Sequence, residues 1–178
     1  MRFRAGSATR RGIVAAVLSA GLLTAGCGGA SPAVVAYVGD EKITQQAVET
    51  AVAAVSTTVE EGQTVSQEAV INAMIQGELA DQIAADRKIA ITDAERDRFL
   101  KTTNLAPLLG VAGAKPIAYD VADSQIVSTK VGAEGYLAEL ERRKVILNPR
   151  YGVLDDRQKT IVTNESGSLS QPAAPPTP

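Results

Sequence analysis

The chain has 178 residues, with 18 Lys and Arg against 20 Asp and Glu, no histidine, no tryptophan, one cysteine, four tyrosines and two phenylalanines; that length suits one domain with appendages. Without histidine there is no His-based general base, no Ser-His-Asp or Cys-His arrangement and no His-ligated metal, and a lone cysteine forms neither an intrachain disulfide nor a Cys-rich zinc site. A near-neutral balance with no basic excess argues against nucleic-acid binding, so composition leans towards a binding or structural role with no cofactor and no metal.

The first eleven residues carry Arg2, Arg4, Arg10 and Arg11 and no acid, and an uncharged, largely apolar stretch follows from Gly12 to Gly26. It is short for a membrane-spanning helix, which needs ~20 apolar residues, and fits the h-region of an export signal over residues 1–26. Leu22-Leu23-Thr24-Ala25-Gly26-Cys27 resembles the lipobox of bacterial lipoproteins, although Thr24 stands where that pattern prefers Leu, Val or Ile. The resemblance implies that Cys27 is acylated and becomes the mature N-terminus, followed by a flexible tether over 27–32; the alternative is a cysteine buried as a small hydrophobe. The expected location is the extracytoplasmic face of the cell membrane, held by lipid. Arg10-Arg11 leaves Sec and twin-arginine export both open. Residues 27–178 carry 14 basic and 20 acidic side chains, a net charge of −6, so lipid rather than a basic face would hold the protein at an anionic membrane.

Ala33-Val-Val-Ala-Tyr-Val38 and Glu41-Lys-Ile-Thr44 are short extended runs joined by Gly39-Asp40, which predicts a hairpin. Thr44 is the expected cap of a helix with an apolar stripe at Val48, Ala51, Val52, Val55 and Val59, ended by Gly62. Ser66 caps a second helix with a wide face of Val70, Ile71, Met74, Ile75, Leu79 and Ile83. Thr92-Asp-Ala-Glu95 reads as a capping box opening a third helix that contains Phe99 and Leu100. Residues 101–118 read as an apolar loop broken by Pro107, Gly110, Gly113 and Pro116. Helices follow over Asp120–Lys130 and Ala133–Lys144, then a short strand over Val145–Leu147 and a weaker one over Thr160–Thr163. From Asn164 the chain turns to Ser, Gly and Pro, and a tail is expected over 157–178, extended or disordered at its end. The fold class is mainly α with a short β element.

VAYVGDEKITQQAV, a long helical hairpin, ITDAERDRFL and finally VILNPRYGVLDD, in that order, resemble the N-terminal domain family of SurA-type chaperones, and in particular actinobacterial lipoproteins that carry this domain alone. The resemblance covers residues 33–156. It implies a SurA/trigger-factor-like helical chaperone domain in which Val34–Val38 comes to lie near Val145–Leu147. It also implies exposed apolar clefts that hold unfolded or extended segments of exported polypeptides. Ala47 departs from the family's more common Glu, which loses one side of a capping box. Relatives often carry a parvulin isomerase domain, but 101–118 is too short for a domain of at least ~50 residues, and the parvulin histidines are missing. No isomerase activity is expected.

The loop residues Leu105, Leu108, Leu109 and Val111 are the candidate client-binding surface, against the alternative that they cover the helical core. Met74 reads as core, Glu60-Glu61 and Asp155-Asp156 as solvated acids, and Arg142-Arg143-Lys144 as a helix end suited to the helix dipole. The favoured reading is a lipid-anchored holdase. The others are a lipoprotein serving one specific envelope partner and a degenerate prolyl isomerase.

Overall fold

The structure, a computed structural model, describes residues 33–60 and 63–162. The export signal, Cys27 with its tether, Gly62, and the Ser- and Pro-rich end from residue 163 lie outside the described residues.

β1 (Val34–Val38) and β2 (Glu41–Thr44) form the expected antiparallel hairpin. Gly39 turns the chain at φ +60, a conformation that costs glycine nothing sterically. Behind that turn the Gln82 amide donates to the Val38 carbonyl at 2.9 Å. β3 (Val145–Leu147) pairs antiparallel with the other edge of β1, placing Tyr37 opposite Ile146, so the strand order is β2-β1-β3. The register shifts between Val34 and Ala36. Asn148 fastens this irregular end: its amide donates to the Val35 carbonyl at 2.8 Å and its side chain to that of Val34 at 3.1 Å.

Thr44 ends β2 and caps α1 (Gln45–Ser56), its hydroxyl accepting from the Ala47 amide at 3.2 Å. α1 stops six residues before Gly62. Thr57 and Thr58 turn their hydroxyls onto the carbonyls of Ala54 and Val55 at 2.7 Å, satisfying the last turn locally and competing with further helix. α2 (Gln67–Arg87) is capped by Ser66 and closes on Lys88, whose left-handed backbone points its amide at Ala84 and Ala85. α3 (Asp93–Leu100) starts at Thr92, whose hydroxyl accepts from the Glu95 amide at 3.2 Å.

The expected loop over 101–118 is partly helical. Ala106–Gly110 is a 3-10 turn, and α4 (Lys115–Val131) begins five residues before Asp120. Pro116 sits in its first turn, where the missing N–H has no intrahelical partner to lose. α5 (Ala133–Arg142) follows Gly132 at φ +83 and ends two residues short of Lys144.

The folded body also extends beyond Asp156, correcting the expected start of the tail at 157. β4 (Val153–Leu154) and β5 (Ile161–Val162) make a second small antiparallel sheet. α2 holds it: Asn72 accepts from the Ile161 amide at 2.7 Å, and the Gln76 amide donates to the carbonyls of Gln158 and Lys159 at 2.9 and 3.0 Å. Ile161 is buried in the main core.

The architecture is therefore mainly helical with a small antiparallel sheet. One core lies between the β1 sheet, α1, α2 and α5, built on Val35, Val38, Val48, Ile75, Leu79 and Leu140. A second lies between α3, the 3-10 turn and α4, built on Leu100, Leu108, Ala114, Ala118, Ala122 and Ile126. α4 is the wall between them, since Ile117 and Val127 face the first core while Ala118, Ala122 and Ile126 face the second. With both faces packed, Asp123 and Ser124 are buried and Asp120 is half-buried, against neighbouring helices rather than in open water.

Candidate functional site

The four loop leucine and valine positions do not form an open surface. Leu108 is buried, and Leu105, Leu109 and Val111 are partly buried against the second core. The 3-10 turn covers that core, and Leu105 and Leu108 border a cleft of about 380 Å³ with Val55, Val59 and Pro107. Met74, expected in the core, packs partly buried against it and also lines a cleft. Asp155 is occupied in a turn, accepting from the amides of Arg157 and Gln158 at 3.0 and 2.6 Å. Arg142 and Arg143 share Glu139, whose carboxyl is held below the usual range chiefly by its hydrogen bond from Arg87.

Two concavities border α4. A cleft of about 420 Å³ opens between the start of α1, Met74 of α2 and the first turns of α4, with Ala47, Ala51, Met74 and Ile117 as its apolar lining and Thr44, Gln46 and Thr50 as polar lining. A second, of about 400 Å³, lies on the other side of Pro116 and is lined by Asp81, Arg96, Lys115, Tyr119, Asp120 and Asp123. Pro116 and Asp120 border both. In the sequence Met74 reads as core and Pro116 as a break in an apolar loop, while Asp81, Arg96, Asp120 and Asp123 carry no expected role.

The acidic side of the junction is only partly neutralised. Arg96 reaches from α3 to grip buried Asp123 with two bonds, Nε to Oδ1 at 2.7 Å and Nη2 to Oδ2 at 2.9 Å, and also binds Asp93 at 2.9 Å. The guanidinium lies 5.2 Å from the centre of the Tyr119 ring, and the Lys115 ammonium lies 4.9 Å from it. The Tyr119 hydroxyl donates to Asp97 at 2.8 Å. The side chains of Asp81 and Asp120 make no hydrogen bond or ion pair among the described residues.

Asp120 lies over Gly77. An added Cβ at that glycine would collide with the Cβ, Cγ and Oδ1 of Asp120, so glycine at 77 is what admits the carboxyl between α2 and α4. Burial pushes the Asp120 carboxyl up to about 7, reinforced by the charges of Asp81, Asp123 and Glu78 and opposed by Arg96. Asp81 is raised as well, first by burial and then by Asp123 and Glu78.

This has a sign for stability. A carboxyl whose folded pKa lies above its unfolded value stabilises the fold relative to the ionised state at low pH, and that contribution is lost as pH rises to about 7. Asp120→Asn is therefore expected to match the parent protein near pH 4 and to exceed it above pH 7. Each pKa unit corresponds to about 1.36 kcal/mol. Because Asp120 borders open clefts and shares its repulsion with Asp81, the expected gain at pH 8 is about 1–2 kcal/mol. Urea unfolding at both pH values checks this, and a gain independent of pH would show that Asp120 titrates as a solvated acid.

Among the described residues no group of three His, Cys, Asp or Glu side chains is arranged to hold a metal ion, and no helix is long and apolar enough to cross a membrane. The signal that could have singled out Asp120 was present but weak. It stands three residues from both Ile117 and Asp123, on a helix otherwise patterned for burial, and a glycine interrupts α2 at 77. Comparison of the chain with protein-family models, with curated proteins and with solved structures finds no match to any of them.

Proposed function

We propose that the chain is a lipid-anchored, extracytoplasmic holdase of the SurA N-terminal type, which holds unfolded or extended segments of exported proteins and does not catalyse prolyl isomerisation. The observation that carries the reading is the pair of clefts flanking the start of α4, each an apolar or aromatic surface beside polar groups and open to solvent. Such surfaces suit weak binding to many sequences, because they offer burial to apolar side chains and hydrogen bonds to a peptide backbone. Exposed Ile146 on the edge strand β3, with Leu137, Val153 and Val162, adds further apolar area. The pairing of β1 with β3 across the helical body agrees with the arrangement that the family resemblance implies. Residues between α3 and α4 form a short connection built around a 3-10 turn, with no inserted domain.

An aggregation assay tests the proposal. At near-equimolar ratio the protein is expected to suppress aggregation of several unrelated unfolded clients, with no acceleration of prolyl isomerisation in a short peptide. Protection of a single client would favour a lipoprotein dedicated to one partner, and protection of none would sink both holdase and client reading. The anchor is tested separately: a fatty-acid probe is expected to label the protein in cells, and Cys27→Ala is expected to abolish the label.

A further inference from the structure

The junction of the two clefts has a chemistry of its own. On the α1 side the lining is neutral: Thr44, Gln46, Ala47, Thr50 and Ala51. Every charge facing Asp120 comes from elsewhere. α2 contributes Glu78 and Asp81, α4 contributes Asp123, and α3 contributes Arg96; Lys115 lines the second cleft beside Asp120. The two cations are already engaged, Arg96 with Asp93 and Asp123, and Lys115 over the Tyr119 ring. Glu78 accepts from Gln82 at 3.1 Å. What remains is an acid, Asp120, set at the end of an apolar trough, with Asp81 beyond it and no protein cation assigned to either.

We propose that this junction seats a basic side chain of a bound polypeptide, the alkyl stem of a client lysine or arginine lying along Ala47, Ala51, Met74 and Ile117 and its cation reaching Asp120 and Asp81. The inference rests on the holdase reading and specifies which client segments are preferred: extended apolar stretches interrupted by a single basic residue. Long basic side chains are suited to such a place because their methylenes bury while the charge is carried to a partner. Complementarity is the discriminating element. A neutral residue gains only the trough, and an acidic one meets Asp120, Asp81, Asp123 and Glu78, a like-charge repulsion that supplies rejection as well as attraction. A cation also favours the ionised carboxylate, so seating it displaces a proton from Asp120 and binding strengthens with pH.

The test uses the full chain in detergent micelles and three extended apolar peptides that differ only in a central Arg, Gln or Glu, titrated calorimetrically at pH 6 and pH 8. The Arg peptide is expected to bind at least ten-fold more tightly than the others at pH 8, with the gap shrinking to a few-fold at pH 6. Asp120→Asn is expected to remove the gap and Asp81→Asn to reduce it, while Glu134→Gln, at an exposed position of α5, leaves it intact. Circular dichroism of each variant separates loss of the seat from loss of the fold; should Asp120→Asn not fold, Asp81→Asn and the pH dependence of the parent decide. Equal affinity for the three peptides, or a gap that survives Asp120→Asn, overturns the proposal. Aggregation suppression measured on the same preparations distinguishes the two failures: equal peptide affinities with clients still protected remove the basic seat alone, whereas loss of both removes the holdase.

Discussion

Gly77→Ala is expected to destabilise the protein by about 2–3 kcal/mol, lowering the melting temperature by roughly 6–12 °C. The direction runs against local propensity, since alanine in place of glycine within a helix ordinarily gains roughly 0.5–1 kcal/mol. Here the added methyl enters space already filled by Asp120. The obstacle is the Asp120 Cβ as well as its carboxyl, so a rotamer change does not clear it, and both residues sit inside long helices that face each other along most of their length. The helices must separate, or one must bend, and either response opens the main core around Ile75, Leu79 and Val127. Three further variants sharpen the test. Gly110→Ala, where an added Cβ meets nothing within 4 Å, is expected to be close to neutral. Gly77→Ala with Asp120→Gly is expected to recover more than Gly77→Ala with Asp120→Ala, because only the former removes the colliding Cβ. A stable Gly77→Ala single variant would show that α2 and α4 are not held at this spacing.

Arg96→Met is expected to cost about 3 kcal/mol, because it leaves Asp123 buried without its cation. Asp123 has only 6% of its side chain exposed, against 20% for Arg96. The lower end of the usual range for breaking a buried pair applies, since water can reach the arginine's side of the contact. Arg96→Met combined with Asp123→Leu is expected to recover most of the stability, as apolar replacements of buried pairs often do. Chemical unfolding of the two single variants and the double variant gives the coupling energy directly. A double variant as unstable as the worse single would show that Arg96 acts through its packing on Tyr119 rather than through the ion pair.

Much of the fold was legible because it depends on contacts between near neighbours. Thr44, Ser66 and Thr92 each bond an amide three residues ahead, and Gly39 turns a hairpin whose two strands adjoin in sequence. What failed depends on partners far along the chain or on reading a residue type too rigidly. Pro116 reads as a break, yet it opens α4. Val59 continues the apolar stripe of a helix that Thr57 and Thr58 stop first. β5 falls within the weak strand expected over Thr160–Thr163, but its partner β4 carries too little pattern to announce itself, and its anchors Asn72 and Gln76 lie more than eighty residues earlier. The candidate site was hidden for the same reason. A carboxylate on an amphipathic helix reads as solvated, and only the absence of a side chain at position 77, on another helix, makes room for Asp120 to be enclosed. The apolar residues at 105–111 were visible, but hydrophobicity alone does not say whether a segment offers a surface or covers one.

The position of β1 inside its sheet has a consequence for how the chain comes together. β2 is ready as soon as Gly39 turns, so a two-stranded ribbon can form early, but its other edge waits for residues from the far end of the domain; the bond from Asn148 to Val34 spans 114 residues. Closing so distant a contact is slow relative to helix formation, because its entropic cost is met before the contact returns anything. During that interval Val34–Val38 presents unpaired amides and carbonyls on a strand of apolar residues, a template for association with other chains. The arrival of Val145–Leu147 thus covers the earliest segment of the fold, and truncation before Val145 would leave a helical body with an adhesive edge.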